Sequence, residues 1–373
     1  MDRDKDRDTS SAGTRVRPEP GDAGGYQAGG TVAVPSFRGF EAEPFRPAWW
    51  LPGAHAQTIA GRLLRKPPLL PLRRERIETP DGDFLDLDFT PSVRKGGPIV
   101  VLLHGLEGSS RRGYAINTYR ALEASGIGTA GVNFRACSGE PNRLARSYHS
   151  GDTDDLRFVL AGLAKQFPGS PLAAVGFSLG GNVLLKYLGE EGEAAALQAG
   201  VAISVPYDLS GCADALASSA VGRFYARHFV RGLVAKAEAK LHLIGDRIDL
   251  ARVRAAQTFR EFDDAATAPL HGFRDADDYY RRSSSAPFLA RIRVPTLLVH
   301  SEDDPFLPGE WVPREAIDGN PWLEALITQK GGHVGFVEGP PHAPRFWVER
   351  QAARFLASRL PAMPALDSPD AGT

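Results

Sequence analysis

The chain has 373 residues, 42% of them hydrophobic and 24% charged, the proportions of a globular protein that buries a sizeable core. Lys and Arg number 44 against 45 Asp and Glu, and this net charge of −1 gives no electrostatic reason to expect nucleic acid as a partner. Two cysteines, Cys137 and Cys212, are too few for a disulfide framework and point to a reducing compartment.

The first eight residues alternate in charge with no apolar stretch behind them, so no secretory signal is expected. No window approaches the roughly 18 apolar residues of a membrane span, and the expected location is cytoplasmic, without stable membrane insertion. Residues 1–42 are rich in Asp, Arg, Gly and Pro and read as a disordered tail, as do residues 361–373. Between them a single domain is expected over 43–360.

Order begins near Pro44, where the adjacent Trp49 and Trp50 are expected to anchor the segment onto a core. His55 follows in Gly53-Ala54-His55-Ala56-Gln57-Thr58, with no role derivable beyond a place on a pocket rim. Residues 75–89 read as a hairpin: Pro80-Asp81-Gly82 supplies the turn, and Phe84, Asp86 and Asp88 alternate with Leu85, Leu87 and Phe89. The continuously apolar run at 98–103 suits a central strand of a parallel sheet. A helix is predicted over 114–124, a strand over 128–134, a helix over 152–166 and a strand at 171–177. A helix to about Leu188 and a strand over 200–205 follow. Residues 208–290 then hold amphipathic helical stretches and no strand candidate, which reads as an inserted helical cap. The sheet resumes at 294–300 and 323–327, with a last helix over 344–359. Strands alternating with helices predict an α/β fold with a mostly parallel central sheet covered by helices on both faces.

The central stretch is Val175-Gly176-Phe177-Ser178-Leu179-Gly180-Gly181-Asn182, where a strand ends in Gly-x-Ser-x-Gly and turns directly into helical spacing. This strand–turn–helix setting is what a nucleophile elbow requires, with glycines two residues either side of the serine because side chains there would collide across the turn. A serine hydroxyl needs a base within hydrogen-bond reach, and the base an orienting acid. In an open parallel sheet such groups sit just past the carboxyl ends of strands. That rule selects His333, in Gly331-Gly332-His333-Val334-Gly335-Phe336, from the nine histidines. It selects Asp304, ahead of Asp303, from Ser301-Glu302-Asp303-Asp304-Pro305. The chain order Ser178, Asp304, His333 is the one α/β-hydrolases use. Backbone N–H groups of Leu179 and of Leu106, in His104-Gly105-Leu106-Glu107-Gly108, are the expected oxyanion donors, with His104 bracing that loop.

Two signals are set aside. Gly126-Ile127-Gly128-Thr129-Ala130-Gly131 matches a dinucleotide fingerprint, yet a helix precedes it and a strand follows, the reverse of what pyrophosphate binding needs. No His or Cys pair has metal-ligand spacing, so no metal and no cofactor are expected.

These residues resemble the YheT-like branch of the α/β-hydrolase superfamily, esterase-like proteins of bacteria with membrane-anchored relatives in eukaryotes. The likeness spans roughly residues 44–358. It is carried by the stretches at 53–58, 104–110 and 135–142, by Ser147-Tyr148-His149-Ser150-Gly151-Asp152, by the elbow, and by residues 262–264 and 278–280. It also includes Asp303-Asp304-Pro305-Phe306 and residues 331–336. Ala136 departs from it, standing where glycine is expected, and so does the Ala54-His55 spacing. The resemblance implies a triad of Ser178, Asp304 and His333 and hydrolysis of carboxylic esters, short-chain or acylglycerol-lipase-like. An acyltransferase or thioesterase acting on a lipid-like acyl substrate is the alternative, and a scaffold with a relict elbow a third. Whether Tyr148, His149 and Asp152 line the pocket or brace a loop is left to geometry, with bracing favoured. Acyl length and oligomeric state are not legible.

Overall fold

The computed structural model describes residues 38–66 and 69–361. The tails expected over 1–42 and 361–373 lie outside the described residues except for 38–42 and Pro361. In chain order come helix α1 (Gly53–Leu64), strands β1 (Arg73–Glu78), β2 (Phe84–Phe89) and β3 (Ile99–Leu103), α2 (Gly113–Glu123), β4 (Gly128–Asn133), α3 (Asp154–Gln166), β5 (Leu172–Phe177), α4 (Leu179–Glu191) and β6 (Ala199–Ile203). Helices α5 (Leu209–Ser218), α6 (Ala220–Ala239) and, after several short turns, α7 (Ala276–Ser283) separate β6 from β7 (Thr296–Ser301). Strand β8 (Leu323–Thr328) and helix α8 (Trp347–Arg359) follow.

The eight strands form one sheet in the order β1-β2-β4-β3-β5-β6-β7-β8, parallel from β4 to β8 with the hairpin antiparallel at one edge. The apolar runs at β3, β5 and β6 are buried along their whole length, as a strand covered on both faces must be. One face packs on α3 and α4 through Leu156, Leu160, Val183 and Leu184, the other on α2 and α8 through Tyr119, Leu122, Val348 and Phe355. The α/β-hydrolase architecture expected from the sequence is the one observed.

Several local expectations differ from the structure. Trp50 is anchored by its indole N–H donating to the Gly339 carbonyl at 2.9 Å, but neighbouring Trp49 points outward and is 82% exposed. No helix was expected at 53–64, where α1 packs beside the His333 loop. Strand β6 stops at Ile203 rather than Val205 because Ser204 turns the chain with φ +51°. Helix α8 begins at Trp347 because Arg345–Phe346 pair with Val337–Glu338 instead. Residues 38–42, assigned by composition to the tail, are held: Arg38 donates to the carbonyls of Ile317, Asp318 and Asn320, and Phe40 meets Phe355 edge-on at 5.4 Å.

The hairpin's alternation also has an unexpected outcome, since every residue of β2 is buried, Asp86 and Asp88 included. Each carboxylate is clamped by guanidinium groups. Arg76 donates twice to Asp86 at 2.8 and 2.9 Å, and Arg74 and Arg111 each donate twice to Asp88. Burial alone would raise the Asp88 pKa, but the bonds from Arg74 and Arg111 hold it well below the usual carboxylate range.

Ala136 adopts φ +61°, a left-handed conformation in which its Cβ crowds the following carbonyl. This accounts for the glycine expected there. Ala136→Gly should raise the unfolding free energy by about 0.5–1 kcal/mol, the relieved strain less the entropy glycine loses on folding. Urea titration of the two proteins checks this, and an unchanged or lowered midpoint would count against strain at this position.

Candidate active site

The turn from β5 into α4 is built on two glycines. A Cβ on Gly176 would lie 2.4 Å from the Gly180 carbonyl oxygen, and one on Gly180 would lie 2.4 Å from the Leu103 carbonyl oxygen, so no other residue fits either position. Between them Ser178 is forced to φ +52°, with its own N–H bound to the Ile203 carbonyl at 2.8 Å. Its hydroxyl faces a cavity of about 1100 Å³. Asn182, one turn into α4 and fully buried, donates to the Ser150 and Ser283 carbonyls and accepts from the Ser285 N–H. These bonds tie the elbow helix to the segments at the base of the helical insertion.

His333 Nε2 lies 3.1 Å from Ser178 Oγ, and its Nδ1 lies 2.8 Å from Asp304 Oδ2. The other carboxylate oxygen of Asp304 accepts the N–H groups of Phe306 and Leu307 at 2.9 and 3.1 Å. With the carboxylate accepting at both oxygens, the ring proton sits on Nδ1 and Nε2 offers its lone pair to the serine hydroxyl. Asp303, the fallback acid, instead accepts from Ser301 Oγ and from the Gly332 N–H at 2.8 Å, which shapes the loop carrying the imidazole.

Sequence reasoning missed the groups that immobilise that loop. Thr58 Oγ1 on α1 accepts the His333 N–H at 2.9 Å, Ser204 Oγ accepts the Val334 N–H, and the Phe306 ring packs on the imidazole with centroids 4.6 Å apart. Arg65, one turn beyond Gly61, is buried and donates to the Gly335 carbonyl at 3.0 Å while paired with Glu349 of α8 at 2.6 Å. The stretch ending at Thr58 stood out only through its family likeness. A threonine and an arginine with no local pattern gave no other signal.

The amides of Leu106 and Leu179 both border the cavity. Leu179 occupies the first position of α4, where a helix leaves its N–H groups without internal partners. For Leu106 the peptide is oriented from behind. The Phe134 N–H donates to His104 Nε2 at 3.2 Å, so His104 Nδ1 carries the proton and donates to the Gly105 carbonyl at 2.7 Å. The Gly108 N–H reaches the same carbonyl. These two bonds fix the peptide that joins Gly105 to Leu106. Tyr148 braces the loop too, accepting the Glu107 N–H and donating to the Glu107 carboxylate, and Lys236 of α6 donates to that carboxylate at 2.7 Å.

His149 accepts from the Gly151 N–H, and Asp152 pairs with Arg146. Both lie on a second, polar hollow away from Ser178, as bracing residues would. His55 stacks on Tyr225 of α6 and hydrogen-bonds its hydroxyl at 3.2 Å. Among the described residues no group of three or more His, Cys, Asp or Glu is placed to hold a metal ion.

With fold and geometry in place, the comparisons with known proteins are informative. Residues 98–340 match the family described as alpha/beta hydrolase fold. The chain belongs to that family. It is 39% identical over 323 residues to YheT of Escherichia coli, covering 85% of this chain and 94% of that one. It is 30% identical to a phospholipase, ABHD3, of Mus musculus, covering 80% of this chain and 74% of the relative. It is 31% identical to a monoacylglycerol lipase of Saccharomyces cerevisiae, covering 76% and 63%. The solved esterase Pf2001 of Pyrococcus furiosus shares the fold with a TM-score of 0.53 at 16% identity, over 87% of this chain and all of that one.

Burial holds the His104 pKa down at about 3. The unfolded imidazole takes up a proton below about pH 6.5 and the folded one does not until about pH 3. Stability therefore falls as pH drops through that window, by up to about 1.4 kcal/mol per pH unit from this group. His104→Gln should flatten the pH dependence of unfolding between pH 6.5 and 4 relative to the parent, as read by urea midpoints. Parallel curves would contradict a neutral buried His104.

Proposed function

We propose that the chain is a serine hydrolase that cleaves carboxylic esters with a lipid-like acyl chain. The observation that carries this reading is the continuous hydrogen-bonded line from Asp304 through His333 to Ser178 at the floor of the cavity. In the first step His333 Nε2 takes the hydroxyl proton as Ser178 Oγ attacks the ester carbonyl. The oxyanion that forms is held by the N–H groups of Leu106 and Leu179, whose alignment costs no reorganisation because both peptides are already fixed. Asp304 steadies the imidazolium. His333 then gives its proton to the leaving alcohol, an acyl-enzyme remains, and water activated by the same imidazole releases the acid.

The substrate class follows from the walls. Leu209, Leu216, Phe229, Phe259 and Phe306 line the cavity, offering an acyl chain a dry path from Ser178 under the helical insertion, which serves as a cap. The printed names of two relatives, a phospholipase and a monoacylglycerol lipase, favour the same class. The two cysteines, Cys137 and Cys212, are buried thiols without a disulfide, in keeping with a cytoplasmic setting. Among the described residues no helix is long and apolar enough to cross a membrane. An acyl group parked on Ser178 beneath an apolar cap also suits transfer to an alcohol in place of water. That second reading predicts more product ester than free acid when alcohol is added.

Purified protein should hydrolyse p-nitrophenyl esters faster with longer acyl chains than with acetate. Ser178→Ala should lower kcat roughly 10⁴-fold or more, and Asp304→Asn by about 10⁴-fold by fixing the wrong tautomer. A fluorophosphonate probe should label Ser178 alone. Hydrolysis that survives Ser178→Ala would end this reading.

A further inference from the structure

Several exposed residues at the edge of the cavity stand on α1 and α6, and their composition is unusual. Ile59 and Leu63 on α1 and Phe224 on α6 border the cavity yet are 49%, 60% and 69% exposed, and Val221, one turn before Phe224, is 48% exposed. Large apolar side chains scattered singly on a surface need no explanation. Four of them gathered on two helices at one opening do.

The same two helices carry an excess of positive charge on a chain whose net charge is −1. Arg223, Arg227 and Arg231 follow one another at four-residue spacing on α6, all exposed, so they lie along one side of the helix next to Phe224. Arg62 and Lys66 stand four apart at the end of α1, also exposed. Residues 53–66 and 220–237 contain no Asp or Glu. The contacts of these cations are with neutral groups: Arg62 meets the His228 ring, Arg223 the Ala217 carbonyl, and Arg227 the Gln257 side-chain oxygen. The two carboxylates on the cavity wall are otherwise engaged, Glu107 with Lys236 and Asp263 with Tyr280 and Thr267. Among the described residues, no carboxylate pairs with Arg62, Arg223 or Arg227.

Exposed apolar side chains flanked by unneutralised arginines are the composition of a helix that lies in a lipid interface: apolar groups enter the acyl boundary while guanidinium groups pair with headgroup phosphates. We propose that α1 and α6 form a docking surface for a bilayer bearing anionic phospholipid headgroups, with the cavity opening toward the lipid. Charge complementarity selects this occupant over a neutral surface, and continuity with the apolar cavity selects it over a soluble acidic protein. A lipid ester could then pass from the bilayer to Ser178 along an apolar path. The docking itself goes beyond the ester-hydrolase reading and does not depend on it.

Full-length Ser178→Ala protein, which cannot degrade the vesicles, should be sedimented with vesicles of phosphatidylcholine alone and with vesicles of phosphatidylcholine mixed with phosphatidylglycerol. Binding to the mixed vesicles, its release by added salt, and much weaker binding to neutral vesicles are expected. Arg223 and Arg227 do not line the cavity, so the double variant Arg223→Gln/Arg227→Gln should keep its thermal midpoint. Its affinity for the mixed vesicles should fall roughly 30-fold, about fivefold per near-surface cation. No binding to mixed vesicles, equal binding to both kinds, or parent-like binding by the double variant would each overturn the proposal. Docking by a protein that proves inactive on esters would leave this surface standing and remove only the catalytic reading.

Discussion

Everything at the site depends on how closely the start of α4 is allowed to approach the carboxyl end of β3. Gly180 lies against the last carbonyl of β3, leaving no room for a side chain, and this contact seats the start of α4 directly beside the loop that follows β3. A Cβ on Gly105 would sit 3.3 Å from the Ser178 Cβ. One close approach therefore sets two things at once: the strained posture of the serine and the nearness of the Leu106 peptide to it. Ordinary side chains at these positions would push the start of α4 away from the end of β3, and Ser178 and the Leu106 peptide would separate together.

The histidine has no such covalent economy, because it stands 155 residues from the serine in sequence and on a separate loop. Its placement is over-determined instead. The loop is held at Gly332 by Asp303, at the His333 amide by Thr58, at Val334 by Ser204 and at Gly335 by Arg65. Arg65 is the costliest of these, since a buried guanidinium is tolerated only with its partners in place. Glu349 and two carbonyls supply them, so α1, the loop and α8 form a single polar knot under the imidazole. The ring is fixed before substrate arrives, which is what proton transfer over about 3 Å needs.

The sheet and the meeting of Ser178, Asp304 and His333 were legible because their signals are local. Apolar β-branched runs announce buried strands, Gly-x-Ser-x-Gly announces the turn, and the strand-end rule narrows nine histidines to His333. What escaped was of two kinds. Trp49 and Trp50 share a composition but not an environment, since neighbouring side chains on a turning chain face opposite ways. Asp86 and Asp88 carry no sign of burial in the hairpin's alternating pattern, and only tertiary pairing with Arg74, Arg76 and Arg111 allows it. Thr58, Arg65 and Lys236 act across long sequence separations, which no spacing in the chain encodes.

The division of labour between sheet and insertion has a mechanical consequence. The groups to which the proposed chemistry falls, Ser178, His333, Asp304 and the Leu106 and Leu179 amides, stand at strand ends of the sheet, whereas the apolar walls come mostly from α5, α6 and the turns beyond. The two parts are pinned together at particular points. Asn182 holds the base of the insertion at residues 283–285, and Lys236 joins the carboxyl-terminal end of α6 to Glu107, the neighbour of Leu106. The amino-terminal half of α6 is held differently: Tyr225 and Phe229 pack on Phe306 and Tyr225 bonds His55 of α1, while its exposed side carries Arg223, Phe224 and Arg227. The two ends of α6 thus do different work: the carboxyl-terminal end braces the Glu107 loop beside Ser178, and the amino-terminal end carries the exposed apolar and cationic side chains at the edge of the cavity.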